Sequence, residues 1–356
     1  MGGVGVGRVQ CSRSSSGAGL WIVGVDVHIP TSIGRWGPYA DQCGGMSVPA
    51  ELPALILRPL ALADGYDDKE IARNRRSGLW SPVRRGAYVG SASAEGLTRR
   101  DRHRLLIQAT STKLRRPAVV SHVSAAVLHG LPLWSVPLTA VHVTRNPPAK
   151  SDSDRNLICH ACRLDPDEVT VVDGVAVTTP TRTVLDLGRL IGFTPAVIAA
   201  DEALHRGLTS PAFLSSSLEN MHGWRGSRNA ARVVNFADGR SESVGESRSR
   251  VLLAEAGLPT PDLQVLVYAE GGFFLGRGDF GYAADKVLGE FDGQVKYGRL
   301  LRPGQSAGES VFEEKRREDA IRDAGWQVAR WTWPDLDVRD LVAARVQRAL
   351  ARSRPS

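Results

Sequence analysis

Asp279, Glu290, Asp292 and Lys296 are the residues of this chain whose types and spacing could do chemistry together. They fall in RGDFGYAADKVLGEFDGQVK, residues 277–296, which reads as two short strands with acids near their ends. Phe280 and Tyr282 alternate to the face opposite Asp279, and Glu290 and Asp292 share a face because side chains alternate along a strand. A hairpin turn at 283–286 brings Asp279 beside the other two acids. Three carboxylates on one face repel unless a cation or a proton sits among them. Mg²⁺, or Mn²⁺ in its place, suits such oxygen ligands. With Lys296 within reach, the cluster could hold a metal, orient water and stabilise a phosphorane-like transition state, the chemistry of phosphodiester hydrolysis.

The elements that must position these residues follow in order. SESVGESRSRVLLAEAG, from Ser241, is expected as a helix, with Glu246 opposite the apolar Val251 and Leu252. After Lys296 comes the basic loop YGRLLRPGQSAGES, and then the charged helix VFEEKRREDAIRDAG, whose Lys315, Arg316 and Arg317 flank the acids or are solvated. WQVARWTW is a final strand that could aim Arg330 at the acids, and an amphipathic helix closes the chain. The segment ADGRSES is a candidate linker ahead of this part.

A second chemistry is legible near the start. Residues 52–90 read as a winged helix-turn-helix. LPALILRPLALADG is an apolar first helix ended by Gly65. Asp67 caps a second helix, with Glu70 three residues on as in a capping box. LWSPVRRGAYV then forms two short strands with Arg84, Arg85 and Gly86 at the turn. Arg73, Arg75 and Arg76 on the helix, with Arg84 and Arg85 at the wing, suit contacts to phosphate oxygens.

Length and composition bound the alternatives. A chain of 356 residues is expected to hold two or three domains. A net charge of +7 and a pI near 9.5 favour an anionic partner, nucleic acid by default. No apolar run reaches the ~18 residues of a membrane helix, so no membrane partner is expected. Four cysteines make no disulfide framework here, and the lone Cys159-x-x-Cys162 lacks the second ligand pair of a zinc site. This usage fits a reducing cytoplasm. Residues 1–45 are Gly/Ser-rich and unlike the rest, which suggests disorder or an over-long start, with Met46 as the true one. GLWIVGVDV is not followed by an A-x-A-like cleavage site, which argues against a signal peptide.

Between these parts, LTRRDRHRLLIQATSTKL is an amphipathic helix with Leu105, Leu106 and Ala109 inward. VVSHVSAAVLHGLPLW gives a strand end and a short helix, on which His122 and His129 lie seven residues apart on one face. Residues 138–180 alternate as strands, with a hairpin turn at Asp173-Gly174. TTPTRTVLDLGRL opens a helix on which Arg182 and Asp186 are spaced to pair. Three further helices follow, around 196–206, 210–218 and 227–236.

Two resemblances attach to these residues. ALADGYDDKEIARNRRSGLWSPVRRGAYV, with its R-R-G-x-Y turn, resembles the N-terminal domain of abortive-infection type IV antitoxins, and TTPTRTVLDLGRL resembles a phrase of the same family. That likeness implies a winged helix on operator DNA, contacted by Arg73, Arg75, Arg76, Arg84 and Arg85, and a toxin partner of unknown identity. Residues 241–350 resemble the restriction-endonuclease-like, or PD-(D/E)XK, superfamily, and more closely the actinobacterial domains related to very-short-patch-repair endonucleases. RGDFGY carries the strand aspartate of that family, GEFDGQVKYGRLLRPGQ its E-x-D-G segment, and ESRSR a helix glutamate. The likeness implies a metal held by Glu246, Asp279 and Glu290, with Asp292 and Lys296 completing a catalytic set. The superfamily has a lysine two residues after the glutamate, where this chain has Asp292. Many relatives have a histidine in place of Lys296.

The expected architecture is α+β, with four parts: 1–45 as above, a winged helix-turn-helix at 46–115, a mixed α/β antitoxin-like domain at 116–238, and a restriction-endonuclease-like α/β/α domain at 239–356. Two functions are in play. One is a DNA-associated Mg²⁺-dependent endonuclease. The other is a non-catalytic transcriptional regulator of the type IV antitoxin kind with a degenerate nuclease fold. The oligomeric state is left open by the sequence.

Overall fold

The computed structural model describes residues 52–114, 116–153, 155–293 and 307–353. Residues 1–45, Lys296 and residues 297–306 of the basic loop after it lie outside them, while the last four residues expected in that loop, 307–310, begin a helix. The described residues belong to the compact unit Gly34–Ser356 and form a mixed α/β protein with three sheets.

The first sheet contains β1 (Ile56–Leu57), β2 (Trp80–Arg84) and β3 (Ala87–Gly90), in the order β1-β3-β2. Helices α1 (Arg58–Ala63) and α2 (Asp68–Arg76) lie between β1 and β2 in sequence. The apolar run from Leu52 does not form one helix as expected. Pro59 has no amide hydrogen and is accommodated only in the first turn, so the helix begins at Arg58. The residues just upstream pair instead with β3, Ile56 opposite Tyr88 and Leu57 opposite Ala87. Asp67 and Glu70 do form the expected reciprocal cap, each side chain accepting from the other's backbone amide. Gly86 turns the β2–β3 hairpin at φ 75°, a conformation that glycine adopts without strain.

A short helix α3 (Ser91–Ala94) and the long α4 (Arg99–Ser111) lead to the second sheet. Its strands are β4 (Val119–Val120), β5 (Val141–Arg145), β6 (Asp152–Ser153), β7 (Leu157–Ala161), β8 (Val169–Val172) and β9 (Val175–Thr178), in the order β6-β7-β5-β4-β9-β8. Helix α5 (His122–Leu128) follows β4. Leu105, Leu106 and Ala109 of α4 are buried as their spacing predicts. Asp173 and Gly174 both take positive φ and turn β8 into β9, as expected of an Asp-Gly hairpin.

Helices α6 (Pro180–Leu190), α7 (Phe193–His205), α8 (Pro211–Glu219) and α9 (Ser227–Phe236) then pack around a core that includes Leu185, Ile191, Val197, Leu214 and Val233. Thr179 caps α6 through its hydroxyl, and Pro180 occupies the first turn.

The last sheet runs β10 (Asp262–Tyr268), β11 (Phe274–Tyr282), β12 (Val287–Asp292) and β13 (Gln327–Thr332), in that order. The β12–β13 pair is parallel, and α11 (Ala307–Asp323) lies between them in sequence. Helix α10 (Val244–Glu255) precedes the sheet, and α12 (Trp333–Leu336) and α13 (Leu341–Ser353) follow it. Phe280, Val287, Phe291 and Trp331 pack against Leu253 of α10 and Val342 and Val346 of α13. Leu288, Val267 and Val328 pack against Ile321 of α11. Helices therefore cover both faces.

One irregularity is not legible in the sequence. Strand alternation puts Leu263, Val265 and Val267 on one face, yet Leu263 joins the α10/α13 core while the two valines join the α11 core. Gln264, at φ 56°, is the residue at which β10 changes faces.

Helix α10 links this sheet to the preceding helices. Val251 belongs to the core of α6–α9, and Leu253 to that of the last sheet. The segment expected as a linker is pinned as well. The Asp238 amide donates to Asp201 (2.8 Å), and Ser241 is buried with its hydroxyl against that of Ser247. Trp134 stacks on Trp333, ring centroids 5.4 Å apart, with the Arg248 guanidinium over Trp134.

Candidate nucleic-acid interface and the acidic strand pair

Strands β11 and β12 do bring acids together. Phe280 lies opposite Gly289, and the same register carried on by one residue sets Asp279 across from Glu290. Asp279 is half-buried, and its Oδ2 accepts the Phe291 amide at 2.7 Å. Glu290 is buried and pairs in register with Arg330 of β13. Its carboxylate accepts from Arg330 Nε at 2.6 Å and from Arg317 of α11 at 2.9 Å. Both arginines also reach Glu314, Arg330 at 2.6 Å and Arg317 at 2.8 Å, and Arg330 meets Glu318 at 3.0 Å. Asp292 is half-buried at the end of β12, on the same face as Glu290 by alternation.

Two guanidinium groups thus offset part of the negative charge on this face. Burial alone pulls the Arg317 and Arg330 pKa values down. It is outweighed at Arg317 by hydrogen bonding to Glu314 and attraction to Glu290, and at Arg330 by Glu290, Glu318 and Glu314, so both stay above the ordinary arginine value. Burial pushes the Glu314 carboxyl up, but its bonds to the same arginines bring it below its usual range. Among the described residues, no group of three or more His, Cys, Asp or Glu side chains is arranged to hold a metal ion.

Glu246 has a different set of neighbours. It stands in the first turn of α10, where Ser243 is the cap. Its carboxylate accepts from the Glu242 amide (2.9 Å), the Ser243 hydroxyl (2.8 Å) and Gln264 Nε2 (2.9 Å). A negative charge at this end of a helix is favourable in itself. The carboxylate also ties the helix N-terminus to the point where β10 changes faces.

The basic residues at the other end of the chain are displayed outward. Arg73, Arg75 and Arg76 are exposed on α2, as is Arg85 at the hairpin turn. Arg73 pairs with Glu70 at 3.3 Å, and the Arg75 guanidinium lies over the Tyr88 ring. Arg84 turns inward instead, donating to the Thr110 hydroxyl at 2.7 Å. Lys113 of the segment after α4 donates to the Arg85 carbonyl and adds a positive charge beside the turn.

The sequence does not signal a buried polar cluster in the middle of the chain. His122 and His160 stack with centroids 3.8 Å apart, and His142 Nδ1 meets His160 Nε2 at 3.1 Å, one nitrogen donating and the other accepting. Ser121 bonds His122 (2.9 Å) and accepts from Thr144 (2.8 Å). His122 Nε2 is 3.9 Å from Asp186, which is fully buried and paired with Arg182 and Arg189, each at 3.0 Å. Arg182 also meets Glu168 at 2.7 Å, and both arginines lie over the Trp224 ring. The i,i+4 pairing of Arg182 with Asp186 is expected from spacing, but its complete burial is not. His129 has separate partners, with its Nε2 at the Thr178 carbonyl. Cys159 and Cys162 are free thiols, Cys159 in the core of the second sheet. Burial is the main influence on all three stacked rings and lowers their pKa values, His142 and His160 to about 4.

Comparison with known proteins gives relatives without an assigned activity. No family model matches the chain. It is 26% identical over 184 residues to an uncharacterised protein of Mycobacterium tuberculosis, found alike in strains CDC 1551 / Oshkosh and ATCC 25618 / H37Rv. The match takes in 51% of this chain and 65% of that protein, so it spans just under two thirds of the relative's length. Among solved structures, the RV2827C protein from Mycobacterium tuberculosis aligns over 62% of this chain and 85% of its own, at 14% identity and a TM-score of 0.37. This chain is therefore similar in sequence to mycobacterial proteins of undetermined function.

Proposed function

We propose that the chain is a DNA-binding regulator. Its first sheet and helices act as a winged helix on duplex DNA, and its last sheet is a restriction-endonuclease-like scaffold held by arginines. One observation carries this reading. The strand–helix–helix–hairpin unit, ordered β1-β3-β2, displays Arg73, Arg75 and Arg76 on a capped helix and Arg85 at the hairpin turn, all exposed. Exposed cations on a helix and a hairpin turn suit contacts to phosphate oxygens. The two guanidinium groups on Glu290 support the non-catalytic side of the reading, because they occupy the oxygens a divalent cation would need. A toxin partner of the type IV antitoxin kind, and a cytoplasmic setting, go with the same proposal.

A second reading, metal-dependent endonuclease, has one observation in its favour: Asp279 and Glu290 are cross-strand neighbours. Mg²⁺ or Mn²⁺ would then bind at these acids, with Lys296 stabilising charge. The two readings part in one experiment. Labelled duplex DNA is titrated with the full chain over a range of salt, and the same mixtures are incubated with Mg²⁺ or Mn²⁺. The regulator reading expects binding that falls steeply with salt, no nicking, and a salt slope shallower by about one unit for each of Arg75→Ala and Arg76→Ala. Salt-independent binding would sink it. Metal-dependent nicking that disappears in Asp279→Ala would replace it with the endonuclease.

A further inference from the structure

A cavity of about 390 Å³ opens between the β2–β3 hairpin and α3 on one side and α4 and the second sheet on the other. Its lining is mixed: Pro82, Leu97, Leu105 and Leu138 give it an apolar side, Ser81, Thr139 and Asn156 a polar one, and Arg99 and Arg102 of α4 add positive charge. The volume lies within the range of about 300–1,000 Å³ typical of small-molecule sites. The charge is one-sided. Arg99 donates to the Val136 carbonyl (3.3 Å), and Arg102 to the carbonyls of Leu97 (3.3 Å) and Ala94 (3.4 Å). Neither forms an ion pair among the described residues, and no acid lines the cavity. The arginines of the last sheet and of the buried histidine cluster, by contrast, each have a carboxylate beside them.

We propose that this cavity binds a small organic anion, an apolar body carrying a single carboxylate, sulfonate or phosphate. The body fills the space between Leu97, Leu105 and Leu138, and the anionic group sits between Arg99 and Arg102. Guanidinium groups hold such oxygens through charge-assisted hydrogen bonds, and the carbonyl contacts, made by Nη2 of Arg99 and by Nε and Nη2 of Arg102, leave Nη1 of each arginine to donate to the anion. His103 fixes the inner wall. Its ring nitrogens are engaged by the Leu138 carbonyl (3.1 Å) and the Ser124 hydroxyl (2.9 Å), and burial keeps its pKa below the usual histidine value, so the ring adds no competing charge. The site does not depend on the DNA-binding reading. If that reading also holds, the cavity adjoins the hairpin that carries Arg85, and occupation would alter DNA affinity.

The test uses two fluorescent probes on the full chain without DNA: 8-anilinonaphthalene-1-sulfonate, and N-phenyl-1-naphthylamine, which has the same body without the sulfonate. Saturable one-site binding of the sulfonate probe is expected. It should weaken about tenfold or more in an Arg99→Gln/Arg102→Gln variant, while the neutral probe loses much less. Both arginines are exposed, so the double variant should fold, which its circular dichroism checks. A second variant, Thr139→Trp, places a bulky ring at the exposed rim and should exclude both probes. The proposal is overturned by non-saturable binding, by equal affinity of the two probes, or by sulfonate binding that the arginine substitutions leave unchanged.

Discussion

Replacing His142 with Asn should flatten the acid limb of the stability curve. His142 is buried, its Nδ1 meets His160, and its pKa in the folded chain is lowered to about 4 from an ordinary 6.5, chiefly by burial and then by the neighbouring His160 and His103. In the unfolded chain the ring regains its ordinary value. Between those two pH values the unfolded chain holds a proton that the folded chain does not. Stability is therefore full above about pH 6.5 and falls on acidification toward about pH 4, by about 1.4 kcal/mol per pH unit for this one ring. Urea titrations between about pH 7 and about pH 5 cover roughly 1.5 units of that window, so His142 contributes about 2 kcal/mol of the loss. His160, whose pKa is likewise lowered to about 4, and His103, His122 and His129, also lowered, act in the same direction. Asp201, raised to about 6, acts in the opposite one. The difference between wild type and His142→Asn removes these shared contributions. Asn keeps a hydrogen-bonding group where Nδ1 was but does not titrate. Any packing loss shifts the whole curve, whereas the predicted effect is a change in slope. Parallel curves across the range would refute the argument that this ring is held neutral by the fold.

Three further outcomes are expected. Gly245→Ala should cost about 1–3 kcal/mol, read as a lower urea midpoint at constant slope, because its new methyl group would be driven into the Phe291 ring. Glu290→Gln should cost about 2 kcal/mol by the same assay, since it removes the charge that Arg317 and Arg330 share. The arginines are about a third exposed and keep Glu314, so the loss stays below that of a fully buried pair, and wild-type stability in this variant would mean the clamp is decorative. Asp67→Ala should lower stability by about 1 kcal/mol through the lost cap of α2, seen as a lower melting temperature. An unchanged melting temperature would show that α2 is set by packing alone.

Local signals are legible in the residues themselves. The Asp67–Glu70 box, the Asp173-Gly174 turn and the Thr179-Pro180 helix start each work within a few residues, so sequence spacing is enough to specify them. The cross-strand approach of Asp279 to Glu290 is legible too, because one hairpin joins them. Partners drawn from a distance are legible only in part. The last strand is expected to aim Arg330 at the acids, and Arg330 does reach Glu290, 40 residues away. Arg317 lies 27 residues from Glu290, and its charged helix is equally consistent with solvated residues until the sheet that it covers is known. The three stacked histidines come from α5, β5 and β7, and only the sheet order brings them together. Gln264 carries no residue-type signal for a left-handed backbone, so the face change of β10 stays hidden. The same is true of the apolar run at Leu52, where pairing with β3 overrides helical periodicity.

Helix α10 has a consequence for anyone who would study the last sheet by itself. A cut at the Gly239–Ser241 stretch, where composition invites one, would remove α7 and with it Asp201. Arg250 would lose its 2.6 Å partner, Ser247 would lose the acceptor of its hydroxyl proton, and Val251 would face water. The excised piece would begin with a helix bearing an apolar and cationic stripe made for a neighbour it no longer has. Such a fragment is a recipe for self-association, and its behaviour on DNA would report the wound and not the protein.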